Sequence, residues 1–116
     1  MAELLVDTDV LVDHLRTGEG FDPSGHSVNY SVITRAELFA GQATDEEIVR
    51  RLLGPFRELP VDRGVAELGG RLRRESGVGL ADALIAATAL QHRLSVLTRN
   101  TRDFERVPRL RLHPAK

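Results

Sequence analysis

Four carboxylates in this chain each close or interrupt an apolar segment. Asp7 follows Leu4-Leu5-Val6, and Glu37 lies in Ile33-Thr34-Arg35-Ala36-Glu37-Leu38. Asp82 is the only charge in Leu80-Ala81-Asp82-Ala83-Leu84-Ile85-Ala86-Ala87, and Asp103 precedes Phe104 in Leu97-Thr98-Arg99-Asn100-Thr101-Arg102-Asp103-Phe104. Acids gathered without basic partners repel one another and raise their own pKa values unless a divalent cation neutralises them. Oxygen-only ligation suits Mg2+ or Mn2+. Such an ion polarises a phosphoryl oxygen, lowers the pKa of a bound water and stabilises a leaving oxygen, so the chemistry suggested is hydrolysis of a phosphodiester.

Three of the four have an ordinary alternative. Asp7, between a strand and a helix, reads as an N-cap. Glu37 completes the capping box Thr34-x-x-Glu37, and Thr44-Asp45-Glu46-Glu47 is a second box of the same form. Asp103, beside Asn100 and Thr101, reads as a turn former. Asp82 resists such a reading. Its helix is apolar nearly all round and therefore belongs inside the fold, where an unpaired charge costs several kcal/mol. The first-turn dipole returns only about 1 kcal/mol of that. Asp9 and Asp13, four residues apart and opposite Leu11 and Leu15, read as a solvated helix face with Arg16.

The elements that must position these acids alternate between short β-rich runs and helical periodicities. The pattern predicts strands over Leu4–Val6, Val28–Ile33, Leu59–Val61, Ser95–Thr98 and Leu110–Leu112. It predicts helices over Thr8–Arg16, Thr44–Phe56, Asp62–Glu75 and Leu80–His92. Strands alternating with helices argue for an α/β fold with a mainly parallel central sheet flanked by helices. In such a sheet the strand C-termini and the starts of the following helices share one edge, where α/β folds place their sites. Capping and catalysis thus require the same geometry.

At 116 residues the chain is expected to form one domain over 1–116, long enough to bury roughly two-thirds of its unfolded surface without staples. The absence of cysteine excludes disulfides, thiolate metal sites and Cys nucleophiles. His14, His26, His92 and His113 show no zinc-ligand spacing, no serine lies in a nucleophile elbow, and no Gly-rich stretch has the P-loop pattern. Met1-Ala2-Glu3 lacks a basic leader, and no segment has the length of a membrane span. A cytoplasmic protein without membrane association is the expectation. The net charge of −1 conceals a gradient: residues 1–47 carry ten acids and two arginines, whereas residues 93–116 carry seven basic residues and two acids. An acidic site could thereby be paired with a basic rim able to hold phosphates. Arg99, Arg102 and Arg106, with Arg109 and Arg111, are the candidate RNA-binding residues.

The chain resembles the PIN-domain ribonucleases, specifically the VapC-type toxins of bacterial toxin–antitoxin pairs. The likeness rests on Leu4-Leu5-Val6-Asp7-Thr8 followed by Val10-Leu11-Val12, and on Glu37-Leu38-Phe39-Ala40-Gly41. It continues in Ala81-Asp82-Ala83-Leu84-Ile85-Ala86-Ala87-Thr88-Ala89 and ends in Leu97-Thr98-Arg99-Asn100-Thr101-Arg102-Asp103-Phe104. The resemblance implies a parallel sheet with an acidic pocket at its edge, holding Mg2+ or Mn2+ for endonucleolytic RNA cleavage. It implies Asp7 and Asp82 as the principal metal ligands, Glu37 as the third acid and Asp103 as the fourth, with Thr8, Thr98 and Asn100 as polar supports. A homodimer, a VapB-type antitoxin that blocks the site, and structured RNA of the tRNA or rRNA class as substrate are further implications.

Two other phosphate chemistries fit Asp7 in isolation. Asp7-Thr8-Asp9 after a strand is similar to the start of haloacid-dehalogenase-like phosphatases, and a phosphoacceptor Asp resembles response-regulator receivers. Both resemblances imply a lysine beside the phosphoryl group, and the only lysine is Lys116. A catalytically silent PIN-like module that binds RNA or protein is the alternative from a different class, and the four intact acids argue against it.

Overall fold

The computed structural model describes residues 3–18 and 21–114. Its strands are β1 (Glu3–Val6), β2 (Ser27–Ser31), β3 (Arg57–Leu59), β4 (Ser95–Thr98) and β5 (Leu112–Pro114). The helices are α1 (Thr8–Thr17), α2 (Val32–Phe39), α3 (Glu46–Leu53), α4 (Arg63–Ser76), α5 (Leu80–His92) and α6 (Thr101–Phe104). The strands form one sheet in the order β3-β2-β1-β4-β5, and all four pairings are parallel. The α/β expectation therefore holds. No helix among the described residues is long and apolar enough to cross a membrane.

Period-two alternation in the strands divides the core into two layers. Leu4, Val6 and Leu97 join Val10 and Leu11 of α1, Leu38 of α2, and Val49 and Leu53 of α3. Leu5 and Val96 point the other way, to Val65 and Leu72 of α4, the buried residues of α5, and Phe104 of α6. Each fully buried Leu, Val or Phe contributes roughly 1.5–3 kcal/mol relative to exposure. Helix α5 behaves as its composition predicts, with Ala83, Ile85, Ala86, Ala87 and Ala89 wholly buried. It packs closely on α4 at Gly69, where a Cβ would lie 2.6 Å from Leu84 Cδ2 and 3.3 Å from Leu84 Cα.

Helix α2 falls where no helix was expected, α3 ends at Leu53 and not Phe56, and the larger of the other boundary shifts have local reasons. Strand β2 ends at Ser31 instead of Ile33, because Ser31 Oγ accepts from Ile33 N at 3.1 Å and caps α2. Strand β3 is Arg57–Leu59, not Leu59–Val61, since Pro60 has no N–H to continue the ladder. Helix α3 starts at Glu46 because Asp45, not Thr44, is its cap, accepting from Ile48 N at 3.2 Å. Strand β5 begins at Leu112 in register with Val96; Leu110 follows Arg109, whose φ of 66° breaks an extended run. The polar turn at Asn100-Thr101 proves to be the start of the four-residue helix α6. A Tyr30–Arg35–Glu58 cluster fastens α2 and edge strand β3 to β2, with Tyr30 Oη donating to Glu58 at 2.9 Å and Arg35 Nη2 donating to Tyr30 Oη at 2.9 Å.

Candidate active site

The β1–α1 junction has no loop: Asp7 alone separates the strand from the helix. Its backbone N–H donates to Leu97 O at 2.9 Å, which fixes the residue against the end of β4. Its extended φ and ψ (−73°, 153°) make it the cap of α1. Oδ1 accepts from Thr8 N at 2.8 Å and Oδ2 accepts from the Thr98 hydroxyl at 2.9 Å. Capping and site-building therefore use the same carboxylate, one oxygen for each. Asp7 is only 5% exposed, and its pKa is pushed up to about 7, first by burial and then by the Asp9 charge, with a smaller push from Asp82. The Thr98 and Thr8 hydrogen bonds oppose that rise.

Glu37 is not a capping-box partner. It lies in the second half of α2, whose cap is Ser31, and its Oε1 accepts from the Thr8 hydroxyl at 2.6 Å. The hydroxyls of Thr8 and the fully buried Thr34 are themselves hydrogen bonded at 2.9 Å. The residue pair that looked like a cap thus joins α2 to the first turn of α1, and places Glu37 over the same cleft as Asp7.

Asp82 sits in the first turn of α5, whose cap is Gly79 with no side-chain hydrogen bond. Its pKa is raised by burial first, then by the charges of Glu37, Asp103 and Asp9. Those three sources come from α2, α6 and α1, so Asp82 is where the elements meet. Asp103 stands at the margin. Its Oδ2 accepts from Asn100 Nδ2 at 2.9 Å, and Asn100 N donates to Thr98 Oγ1 at 2.9 Å. Thr98 is fully buried, so a fixed chain of polar groups runs from Asp103 through Asn100 and Thr98 to Asp7.

A cleft of about 460 Å3 opens over this cluster, lined by Asp7, Thr8, Asp9, Glu37, Asp82 and Asn100 among others. Asp9 is the member that sequence reasoning missed. Its Oδ2 lies 3.5 Å from the Thr98 hydroxyl and its Oδ1 accepts from Arg99 N at 3.4 Å. The i, i+4 spacing with Asp13 suggested a solvated face, but in a helix's first turn side chains also crowd the end of the axis. The signal was the Asp7-x-Asp9 pair at a strand-to-helix junction. Asp13 likewise is engaged, in an ion pair with Arg99 of 2.6 Å at the cleft wall. The remaining candidate RNA-binding arginines lie outside the cleft lining: Arg106 Nη2 donates to Ser76 O at 2.5 Å and Arg111 Nη2 to Arg93 O at 2.7 Å, while Arg102 and Arg109 are exposed.

The donor set fits a hard divalent cation in chemistry: every ligating candidate is a carboxylate or hydroxyl oxygen, and Asp7 and Asp82 are raised first by burial and then by neighbouring carboxylate charge, both of which a cation offsets. Among the described residues no three acids are drawn together closely enough to ligate one ion directly.

Comparison with known proteins places this geometry in a context. A family model described as PIN domain matches residues 4–110. Ribonuclease VapC10 of Mycobacterium tuberculosis is 36% identical over 113 residues, covering 87% of this chain and 85% of that protein. Ribonuclease VapC19 of the same organism is 33% identical over 120 residues, covering 91% and 95%. Among solved structures, a toxin–antitoxin complex from Klebsiella pneumoniae matches with a TM-score of 0.73 at 32% identity over 93% of both chains. DNA-bound VapBC from Salmonella typhimurium matches with a TM-score of 0.85 at 26% identity over 98% of both.

Proposed function

This chain belongs to the PIN-domain family, in its VapC-type branch, and on that premise we propose that it is a divalent-metal-dependent endoribonuclease toxin. The observation that carries the reading is the convergence of Asp7 from the β1–α1 junction, Glu37 from α2 and Asp82 from α5 on one cleft. In this reading Asp7 and Asp82 hold Mg2+ or Mn2+, and Glu37 and Asp103 supply further charge at its margin. A bound ion would activate water and stabilise the leaving oxygen of a phosphodiester. The chain's own contribution is orientation. Thr98 and the α1 amide fix Asp7, Thr8 fixes Glu37, and Asn100 fixes Asp103.

Structured RNA, of the tRNA or rRNA class, is the proposed substrate, and a VapB-type antitoxin the proposed inhibitor. Support for an inhibitor that occupies this face comes from a second groove of about 410 Å3 between α1, α2 and α3. It exposes Val12, Leu15 and Ile48, 38%, 38% and 50% accessible, and shares Val12, Arg16 and Glu37 with the acidic cleft. An apolar partner segment seated there would end at the carboxylates. A homodimer completes the proposal.

The test is cleavage of a panel of structured RNAs by purified, antitoxin-free protein with Mg2+ or Mn2+. Activity abolished by EDTA, by Asp7→Ala and by Asp82→Ala is expected. An uncut panel with both metals would sink the nuclease reading.

A further inference from the structure

The parallel pairing of β4 with β5 obliges the chain to return from the cleft edge of the sheet to the opposite edge. Residues 99–111 make that return, over the layer containing α4 and α5, anchored by the buried Phe104 and Val107. Along it stand Arg99, Arg102, Arg106, Arg109 and Arg111, all exposed. The crossover carries only two acids, Asp103 and Glu105, and Asp103 is turned toward Asn100 and the cleft. At the far edge the crossover meets Arg93, at the C-terminal end of α5. Arg93, Arg109 and Arg111 line a cavity of about 310 Å3 together with Ala89, Leu90 and Leu94.

Arg99 is paired with Asp13 at the cleft wall, but how the other crossover guanidiniums and Arg93 are held separates them from the chain's ordinary surface pairs. Arg35, Arg50, Arg51 and Arg99 are in ion pairs with carboxylates. Arg106 and Arg111 are anchored on backbone carbonyls, of Ser76 and Arg93, which orients each guanidinium while leaving its charge uncompensated. Arg93, Arg102 and Arg109 have no carboxylate partner among the described residues. Arg93 and Arg109 are also the two non-glycine residues with positive φ among the described residues, 57° and 66°, a region disfavoured for a residue with a Cβ. Compensation of the α5 dipole does not account for the cluster. A helix C-terminus carries roughly half a negative charge, against three guanidiniums in one cavity.

We propose that the β4–β5 crossover and the C-terminal end of α5 form a phosphate-binding track for RNA, running from Arg99 at the cleft through Arg102 and Arg106 to the Arg93–Arg109–Arg111 cavity. The identity of the ligand rests on the ribonuclease reading; the track itself rests on the placement of the arginines. Arg93 lies eleven residues along α5 from Asp82, about 16 Å at helical rise. A strand must continue about five nucleotides beyond the cleft to reach the cavity, at roughly 3.4 Å per stacked nucleotide. The track therefore selects for RNA length and leaves short oligonucleotides unaffected.

The test uses Arg93→Gly/Arg109→Gly, which removes two charges at positions whose backbone glycine adopts without strain, so folding is preserved. Binding of an end-labelled hairpin of more than 20 nucleotides and of a tetranucleotide is followed by fluorescence anisotropy at several salt concentrations. For the hairpin we expect about a tenfold weaker affinity near 0.1 M salt, and a log–log salt slope shallower by about 2. Tetranucleotide binding should be unchanged, and Arg57→Ala, on the opposite edge strand β3, should alter neither. Wild-type hairpin affinity and slope in the double variant would overturn the track, as would equal losses for both RNAs or no RNA binding by the wild type. Binding with the expected length dependence but without cleavage would leave the track standing and the nuclease reading refuted.

Discussion

Thr98 Oγ1 donates to Asp7 Oδ2 across 2.9 Å, joining the ends of two adjacent parallel strands whose residues lie 91 positions apart in the chain. The hydroxyl is itself oriented by Asn100 N, which donates to it, so its proton is committed to the carboxylate side. That bond is one of two forces restraining the Asp7 pKa against burial and the Asp9 charge.

Thr98→Val keeps the shape and removes the donor. The Asp7 carboxyl should then titrate above its already raised value, moving the acid limb of the kcat/KM–pH profile for RNA cleavage to higher pH. Activity at neutral pH should fall at least about tenfold, the scale of a hydrogen bond to a charged group. Thr98→Ser should restore the profile. An acid limb that stays in place in the valine variant contradicts this role.

Asp7 should also cost the metal-free protein stability. Its folded pKa of about 7 lies above the ordinary aspartate value of 3.8, so between those values the folded state holds more protons than the unfolded one. Stability from this group is thus fully present below pH 4 and is lost as pH rises through 7. Asp7→Asn, which cannot ionise, should therefore melt several degrees higher than wild type at pH 8 in EDTA, about 5 °C. The difference should vanish near pH 4. Equal melting temperatures at pH 8 would show that the carboxylate is not destabilised.

Divalent cations should reverse that loss. Mg2+ or Mn2+ added to the wild-type protein should raise its melting temperature, because a ligand bound only by the folded state stabilises it. The rise should be larger at pH 8 than at pH 6, where protons compete for Asp7. Asp82→Asn should diminish it. Differential scanning fluorimetry reads the result, and an identical shift in wild type, Asp7→Asn and Asp82→Asn would place the ion elsewhere.

Two adjacent glycines in α4 should respond oppositely. A Cβ on Gly69 meets Leu84 at 2.6 Å, whereas one on Gly70 meets nothing within 4 Å. Gly69→Ala should destabilise by about 1–3 kcal/mol through overpacking. Gly70→Ala should stabilise by roughly 0.5–1 kcal/mol through helix propensity. Urea midpoints with unchanged m-values distinguish the two. Equal effects would mean that α4 and α5 do not cross closely at Gly69.

The alternation of strands and helices and the burial of α5 were legible in the sequence, because each follows from local periodicity, whereas Asp82, expected inside the fold, stands half-buried at the cleft. Strand and helix ends were less legible. Val32 and Ile33 carry β propensity, yet Ser31 caps a helix there, and the packing of α2 against α1, α3 and α5 lies outside what local propensity registers. The roles of Glu37 and Asp9 could not be read locally at all. Thr34-x-x-Glu37 has the form of a capping box, but the hydroxyl that takes Glu37 belongs to Thr8, 29 residues earlier. Asp9 shares a helix face with Asp13, but Thr98 and Arg99, about 90 positions away, draw it to the cleft.

By itself, the sequence determined which residues are acidic, which runs are apolar and in what order the elements occur, because hydrophobic periodicity and charge burial act over a few residues. Only the tertiary structure decided which hydroxyl orients which carboxylate, that Asp9 joins the cleft, and that the arginines of the crossover lead away from it. Those outcomes depend on parallel strand register and on the path the chain takes to close it, and both are set by contacts between residues distant in sequence.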